Sequence, residues 1–343
     1  MKISDIGEFG LIKRIRKTAG RIRKGVQIGI GDDAAVLRCS PGAELLATTD
    51  MLLEGVHFDL RTTDFRSLGW KSAAVNLSDI AAMGGTPRFC LATLAIPRHV
   101  TVENISAFYR GLNALLKRHK VSLVGGDTCG SLRDLIVNIV ILGEVPARQV
   151  LKRSGAQMGD IIFVTGTLGD SAAGLELLKA EAKGQVAHRT STFKKLIEKH
   201  LRPRPRVDEG RKLALAGIAS AMIDVSDGLS SDLEHICEES GVGALVLAKN
   251  VPLSRSLCSV STLRRSPLEY ALSGGEDYEL LFTVPREKWR RVKKLPIDAT
   301  AIGFLTRRRT IILSGIDGKR TVLRPSGYDH FGATSRYARR RGR

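Results

Sequence analysis

The chain has 343 residues, of which 43% are hydrophobic and 26% charged, as in folded globular proteins that exceed the usual size of one domain. Lys and Arg number 54 against 35 Asp and Glu, and the resulting net charge of +19 favours binding to anions. No apolar run approaches the roughly 20 residues that cross a bilayer, and the N-terminus lacks a secretory pattern. The five cysteines are spaced singly, which suits a reducing compartment. We expect a cytoplasmic protein that does not enter membranes.

Apolar residues recur at helical or strand spacing along the whole chain. Helices are predicted over 5–19, 68–83, 102–116, 170–180, 207–217 and 229–240. Strands are predicted over 45–49, 89–96, 121–124, 134–145, 160–166, 221–225, 279–284, 301–305 and 310–313. The mixture predicts an α+β fold, that is, a mixed α/β chain in two domains.

The polar, turn-rich segment 146–159 is the candidate domain boundary. We therefore predict an N-terminal domain over 1–148, a C-terminal α/β domain over 149–335 and a basic tail over 336–343. The tail, RYARRRGR, is interpreted as a solvated chain end. No helix-turn-helix, zinc-finger or RNA-binding signature stands beside it, so nucleic acid is not the expected partner.

Aspartates follow or flank several short apolar runs, and they are Asp32, Asp33, Asp50, Asp79, Asp127, Asp224 and Asp227. The end of a strand is rigid backbone that can hold a side chain towards a ligand. Carboxylates that converge repel one another unless cations lie between them, and hard oxygen ligands favour Mg²⁺. Alternatively, each aspartate caps a turn or a helix. The sequence alone leaves both interpretations open.

Glycine-rich segments at 125–127, 166–171 and 273–277 are candidate phosphate sites, because glycine lets backbone N–H groups approach an anion. A helix that begins after Gly169 would present free N–H groups, although Asp170 or Ser171 would serve equally well as its cap. The chain has no GxxxxGK[ST] loop and no HRD or DFG kinase motif, so any ATP is bound by another route.

The motifs together resemble thiamine-monophosphate kinase, in the ATP-binding superfamily that includes aminoimidazole ribonucleotide synthetase and selenophosphate synthetase. The resemblance runs from residue 7 to residue 331, almost the entire chain. The segments that carry it are GEFGLI, GIGDDAAV, TTDMLLEGVHF, AVNLSDIAAMGGTP, GGDT, RSGAQMGD, VTGTLGDSAAGL, HLRPRPR, IDVSDGLSSDL, ALSGGEDYELLFTVP and GYDHF.

The resemblance implies several Mg²⁺ ions, held by Asp33, Thr48, Thr49, Asp50, Asp79, Asp127, Asp224 and Asp227. It implies ATP contacts at Gly126, Asp127, Arg153 and Ser226. It implies thiamine monophosphate contacts at His57, Glu276 and Tyr328. It also implies a homodimer in which strands of the N-terminal domain complete a shared barrel, beside a C-terminal α/β domain.

The implied reaction transfers a phosphoryl group in line from ATP to thiamine monophosphate, giving thiamine diphosphate and ADP. A phosphate acceptor has a second pKa near 6, so it is largely ionised at neutral pH and no dedicated general base is expected. One rival is another ATP-dependent synthetase or kinase of the same superfamily. A rival of a different class is a basic nucleic-acid-binding protein.

Overall fold

The computed structural model describes residues 1–19, 24–30, 34–185 and 190–327, apart from the side chains of Glu8 and Phe9. Its α-helices are α1 (Gly7–Thr18), α2 (Phe65–Ala82), α3 (Val102–Arg118), α4 (Asp170–Ala182), α5 (Ser191–Leu201), α6 (Val207–Ala216), α7 (Leu229–Ser240), α8 (Arg255–Cys258) and α9 (Pro267–Ser273). Its strands are β1 (Val26–Ile28), β2 (Val36–Leu37), β3 (Ala43–Leu53), β4 (Thr86–Pro97), β5 (Ser122–Ser131), β6 (Ile136–Pro146), β7 (Ile161–Thr165), β8 (Ala221–Asp224), β9 (Gly243–Leu247), β10 (Leu280–Val284), β11 (Ala299–Thr306), β12 (Ile311–Ser314) and β13 (Arg320–Val322). Within these ranges, no helix has the length and apolarity to span a membrane.

The chain forms two compact units. The first contains Met1–Val150 and Leu201–Leu215, and the second contains Leu151–His200 and the described residues from Ala216 onward. The sequence analysis placed Leu201–Leu215 in the C-terminal domain, and the structure differs because this segment packs along α2. There the Trp70 indole N–H donates to the Pro203 carbonyl at 2.8 Å, and a Cβ at Gly210 would lie 2.2 Å from the Ala81 carbonyl oxygen.

The first unit is built on a four-stranded sheet of order β3-β6-β4-β5, in which only β4 and β5 run parallel. Alternate residues of β6, Val137, Ile139 and Ile141, are fully buried beneath the helices. The opposite face carries Leu45 and Met51, each 54% exposed. One face of the sheet therefore forms the core, and the other is open in the described part of the chain.

Helices α2 and α3 approach each other closely through one glycine on each helix. A Cβ at Gly69 would lie 2.0 Å from the Phe108 carbonyl oxygen, and a Cβ at Gly111 would lie 1.8 Å from the Arg66 carbonyl oxygen. Both contacts are to backbone, so neither neighbour can turn aside. This crossing fixes α2, which carries Asp79, against the sheet.

The second unit is built on a seven-stranded sheet of order β13-β12-β9-β11-β7-β10-β8, where only β9 and β12 are parallel. Its core includes Ile162, Ile223 and Leu281 from the strands with Leu233 and Ile236 from α7. The loop between β8 and α7 begins and ends at buried residues, so its backbone is anchored in this core at both ends.

The mixed α/β architecture was predicted, and each predicted helix overlaps a helix of the structure. The strand prediction was less complete, since β3 and β5 extend well beyond 45–49 and 121–124. The sequence analysis did not identify α5, α9 or β9. β9 contains glycine and alanine, GALVL, and it was overlooked because it lacks the alternation of a half-buried strand.

We predict that Gly111→Ala lowers the free energy of unfolding by about 2 kcal/mol or more, because the added methyl overlaps the Arg66 carbonyl. In an unobstructed helix the same change stabilises by about 1 kcal/mol, so the sign of the effect tests the crossing. Urea unfolding monitored by circular dichroism measures it. Gly130→Ala is the control, because a Cβ there meets nothing within 4 Å. A stabilised Gly111→Ala protein would contradict the prediction.

Candidate active site residues

Asp50 and Asp79 form a pair of carboxyl groups in the first unit. Asp50 lies on β3 and Asp79 on α2, both half-buried, and the two carboxyls are hydrogen-bonded to each other. The Thr48 hydroxyl donates to Asp79, while Asp50 Oδ2 is buried and has no hydrogen-bond partner. Burial and the adjacent Asp79 raise the pKa of Asp50 from 3.8 to about 7. A buried carboxylate oxygen without a donor, next to a second acid, fits a divalent cation.

Thr49 lies on the opposite face of β3 from Thr48 and Asp50, because strand residues alternate between faces. Its hydroxyl lies 3.1 Å from Asn138 Oδ1 on the neighbouring strand. The structure therefore does not bring the Thr49 side chain to the acid pair, although the sequence analysis grouped them.

Asp127 is also separate from this pair. It lies on β5, at the other edge of the sheet, with β6 and β4 between it and β3, a lateral distance of about 14 Å. Asp127 pairs in register with Thr93, Thr93 pairs with Asn138, and Asn138 pairs with Met51. Residues paired in register across neighbouring strands lie on the same face of the sheet. The exposed side chain of Asp127 therefore lies on the face of Met51, opposite the face of Asp50. Convergence of Asp127 with Asp50 and Asp79 is not seen within this unit.

Gly126 was predicted to approach ATP, but packing already requires glycine there. Its φ is 148°, and a Cβ would lie 1.8 Å from the Ala92 carbonyl oxygen on β4. The position is therefore explained by the close strand pairing alone.

His57 lies in the turn after β3 and is half-buried. The Leu53 backbone N–H donates to His57 Nδ1 at 3.0 Å, and the backbone N–H of His57 donates to the Leu53 carbonyl at 2.9 Å. An Nδ1 that accepts leaves Nε2 to carry the proton of the neutral ring. The ring is thus oriented by backbone, with Nε2 as its donor.

In the second unit, two acids in the loop from Asp224 to Gly228 lie close to a third acid on α7. Asp224 ends β8 and is buried, whereas Ser226 and Asp227 are half-buried. Asp232, buried in α7, accepts from the backbone N–H groups of Asp227 (3.2 Å) and Gly228 (3.0 Å). Burial and the carboxylates of Asp224 and Asp227 raise the pKa of Asp232 to about 8. Asp232 was not among the predicted site residues, although it belongs to the IDVSDGLSSDL segment.

Glu276 is held beside this loop in an uncommon backbone conformation. Its φ is 67°, and its N–H donates to the Ser226 carbonyl at 2.7 Å. A left-handed conformation at a non-glycine residue costs free energy and is found preferentially at functional sites. Arg153, by contrast, is exposed, with its carbonyl accepting from the Ser240 hydroxyl at 3.3 Å.

The N-terminus of α4 was a candidate phosphate site, and the structure places a protein carboxylate there. Asp277 accepts from the N–H groups of Gly169 (2.6 Å) and Ser171 (3.2 Å). Burial raises the pKa of Asp277 well above its usual value. Asp277 therefore satisfies the donors that the sequence suggested for an external anion, and it ties the segment 273–277 to the segment 166–171.

Two predicted site residues, Asp33 and Tyr328, lie outside the described residues, as do Asp32 and the basic tail. Among the residues that are described, no three His, Cys, Asp or Glu side chains form a metal-binding group.

Comparisons with known proteins define the family. Models of the AIR synthase related protein N-terminal and C-terminal domains match residues 31–145 and 157–314. Thiamine-monophosphate kinase of Bacillus subtilis (strain 168) is 38% identical over 329 residues, covering 94% of this chain and 99% of its own. The same kinase of Aquifex aeolicus (strain VF5) is 39% identical over 333 residues, covering 96% and 100%. This chain belongs to the thiamine-monophosphate kinase family.

Solved structures agree with this family. The crystal structure of thiamine-monophosphate kinase from Stenotrophomonas maltophilia K279a matches with a TM-score of 0.80 and 38% identity, over 93% of this chain and 98% of that one. AaThiL complexed with AMPPCP and TMP matches with a TM-score of 0.75 and 38% identity, over 96% and 99%. Escherichia coli HypE, a hydrogenase maturation protein, has a TM-score of 0.72 at 20% identity over 92% of this chain and 97% of that one, which shows a common fold only.

We predict that Asp50→Asn stabilises the metal-free protein above pH 7. A carboxyl whose pKa is raised on folding loses stability as pH rises from its unfolded value to its folded value, here from about 4 to about 7. The isosteric amide removes that loss, a gain on the order of 2 kcal/mol after allowance for partial exposure. Thermal unfolding in EDTA measures it at about pH 8 and about pH 4.

The gain should nearly disappear at the lower pH, where the folded carboxyl is protonated and the unfolded one is still about half protonated, so that little of the loss has developed. The exposed Asp134 supplies the control variant, Asp134→Asn, which should change stability little at either pH. Equal melting temperatures for Asp50→Asn and wild type at the higher pH would show that the pair carries no electrostatic strain.

Proposed function

We propose that the protein catalyses the ATP-dependent phosphorylation of thiamine monophosphate to thiamine diphosphate, with release of ADP. The observation that carries the proposal is the likeness, at 38% identity over 96% of this chain, to AaThiL complexed with AMPPCP, a non-hydrolysable ATP analogue, and TMP. The named relatives are thiamine-monophosphate kinases along their whole length. We retain the cytoplasm as the predicted location, on the basis of the singly spaced cysteines.

The reaction brings together two anions that carry about six negative charges, so the main task is to offset their repulsion. Mg²⁺ held by this chain would supply positive charge that offsets the repulsion between the two reactants and stabilises charge on the transferred group. The proposed ligands are Asp33, Thr48, Thr49, Asp50, Asp79, Asp127, Asp224 and Asp227. Thr49 and Asp127 lie on the opposite face of the sheet from Asp50, so their side chains would bind a different ion from the one beside Asp50 and Asp79. The unpartnered Asp50 oxygen beside Asp79 supports this assignment in the first unit, and the acids around Asp227 support it in the second.

The remaining roles concern binding and orientation. We assign ATP contacts to Gly126, Asp127, Arg153 and Ser226, and thiamine monophosphate contacts to His57, Glu276 and Tyr328. His57 would donate from Nε2, since backbone occupies Nδ1. Glu276 would face the cationic ring of thiamine. The chain needs no general base, because the acceptor phosphate is already largely ionised near neutral pH.

We predict that the purified protein forms ADP only when thiamine monophosphate and Mg²⁺ are both present, and that EDTA abolishes this activity. Asp227→Asn should lower kcat/KM about 100-fold or more, because a ligand charge is lost with little change in volume. Coupled ADP detection with chromatography of thiamine diphosphate measures turnover.

Asp317→Asn, in the exposed turn between β12 and β13, is the matched control and should retain full activity. Circular dichroism should show that both variants fold. Absence of acceptor-dependent ADP formation by the wild type would refute the proposed function and favour another ATP-dependent enzyme of the superfamily. Near-native turnover by Asp227→Asn would refute only the assignment of that residue.

We also propose a homodimer in which the open faces of two four-stranded sheets complete a barrel. The support is the apolar character of the open face, where Leu45 and Met51 are exposed, and Leu91, Val140 and Leu142 are half-buried. A monomer that left this face in water would expose a contiguous apolar surface. β3 is moreover an edge strand of the sheet, with one side available for further pairing.

We predict that Met51→Asp converts the protein to a monomer, because a carboxylate buried in an apolar interface is destabilising by several kcal/mol. Sedimentation equilibrium over a range of concentrations measures the change. Ile316→Asp is the control, since Ile316 is 84% exposed in a turn of the second unit. A wild-type protein that sediments as a monomer throughout would contradict the proposal.

A further inference from the structure

His200 is a buried histidine that the assigned site does not include. It lies near the end of α5 and is 3% exposed. Its Nδ1 lies 3.1 Å from the Ser171 hydroxyl on α4 and 3.3 Å from Oε2 of Glu276. All three residues belong to the second unit. The contact connects a buried imidazole to a side chain that we assign to substrate binding.

The packing of α4 against α5 explains why these groups meet. A Cβ at Gly174 would lie 2.2 Å from the Leu196 carbonyl oxygen, so the two helix backbones are in direct contact there. Ser171 precedes Gly174 by three residues and His200 follows Leu196 by four, spacings that place each on the same helix face as its neighbour. The close crossing therefore sets the position of the imidazole beside Ser171.

The backbone around Glu276 is fixed by other contacts. Its own N–H donates to the Ser226 carbonyl, and the carboxylate of Asp277 accepts from Gly169 and Ser171. These contacts hold the main chain but leave the Glu276 carboxylate to be oriented separately. His200 contacts that carboxylate directly.

The chemistry favours an Nδ1–H that points towards Glu276. A carboxylate only accepts, so an imidazole nitrogen this close is favourable when it carries the proton. The Ser171 oxygen can then share the same donor. A buried donor to an ionised group strengthens the hydrogen bond and restricts the carboxylate to one rotamer.

We propose that His200 is a positioning residue that orients Glu276 to receive the cationic ring of thiamine monophosphate. The proposal rests on the proposed function, because it gives Glu276 a substrate. It assigns His200 no contact with ATP and no proton transfer in the reaction. His200 acts on affinity for one substrate, through one carboxylate.

The test compares His200→Leu, which removes the donor, with His200→Asn, whose amide nitrogen can occupy nearly the position of Nδ1. His200→Leu should raise KM for thiamine monophosphate about tenfold or more, the usual effect of losing a hydrogen bond to a charged group. KM for ATP should stay within about twofold and kcat should fall less than KM rises. His200→Asn should recover most of the affinity.

A double-mutant cycle with Glu276→Ala separates positioning from general packing. If His200 acts through Glu276, His200→Leu should not raise KM further in the Glu276→Ala background. An undiminished effect in that background would overturn the proposal. Equal KM increases for both substrates would do the same, because they would indicate a general structural defect.

His119→Leu is the matched control, since His119 is a half-buried histidine at the end of α3 in the first unit and should leave both KM values unchanged. If His200→Leu fails to fold, Ser171→Ala is the second variant. It should raise KM for thiamine monophosphate severalfold without affecting KM for ATP, and an unchanged value would overturn the proposal. Turnover of thiamine monophosphate by the wild type is measured first, so failure of the proposed function is recognised separately.

Discussion

The first unit holds two carboxyl groups, those of Asp50 and Asp79, close enough to repel each other when both are ionised. Asp50 is fixed because β3 pairs with β6 over its whole length, and Asp79 is fixed because α2 is packed on that sheet and on α3. The repulsion therefore cannot be relieved by moving either element. Burial, and after it the adjacent Asp79, raises the pKa of Asp50, so ionisation of this carboxyl lowers the stability of the fold. A divalent cation bound beside the two carboxyls, as proposed, would offset that cost.

The second unit uses internal carboxylates in a different way. Asp277 occupies the N-terminal donors of α4, and Asp232 occupies the donors of the loop at Asp227 and Gly228. These buried acids set the loop conformations in the absence of any ligand. The backbone donors they occupy are not available to phosphate, so neither the N-terminus of α4 nor this loop supplies backbone N–H groups for a phosphate site. This is consistent with a kinase that has no glycine-rich loop of the Walker type.

Periodicity was sufficient to predict most of the helices. The aspartates were expected at strand ends, but only Asp224 and Asp227 lie at or just after one, whereas the other described candidates lie within β3, α2 and β5. Periodicity could not predict pairing, because the partner of a side chain is decided by tertiary structure. Thr49 and Asp50 are adjacent in sequence and face opposite ways, whereas Asp50 and Asp79 are distant and meet. His200 is the first residue of the HLRPRPR segment, but nothing in its local sequence indicates that α5 crosses α4 at Gly174. The N-terminus of α4 was a candidate anion site, but its N–H groups donate to Asp277 of the same unit.

The proposed dimer requires the apolar residues on the open face of the first sheet to be covered, and the proposed ATP contact requires Asp127 on the same face to stay accessible. The most exposed apolar residues of this face, Leu45 and Met51, lie on β3, whereas Asp127 lies on β5 at the opposite edge. A partner that covered Asp127 without supplying a cation would bury an unpaired carboxylate, at a cost of several kcal/mol. A contact centred on β3 avoids that cost and leaves Asp127 accessible. The proposed dimer and the proposed ATP contact are therefore compatible only if association is centred on the β3 side of this face.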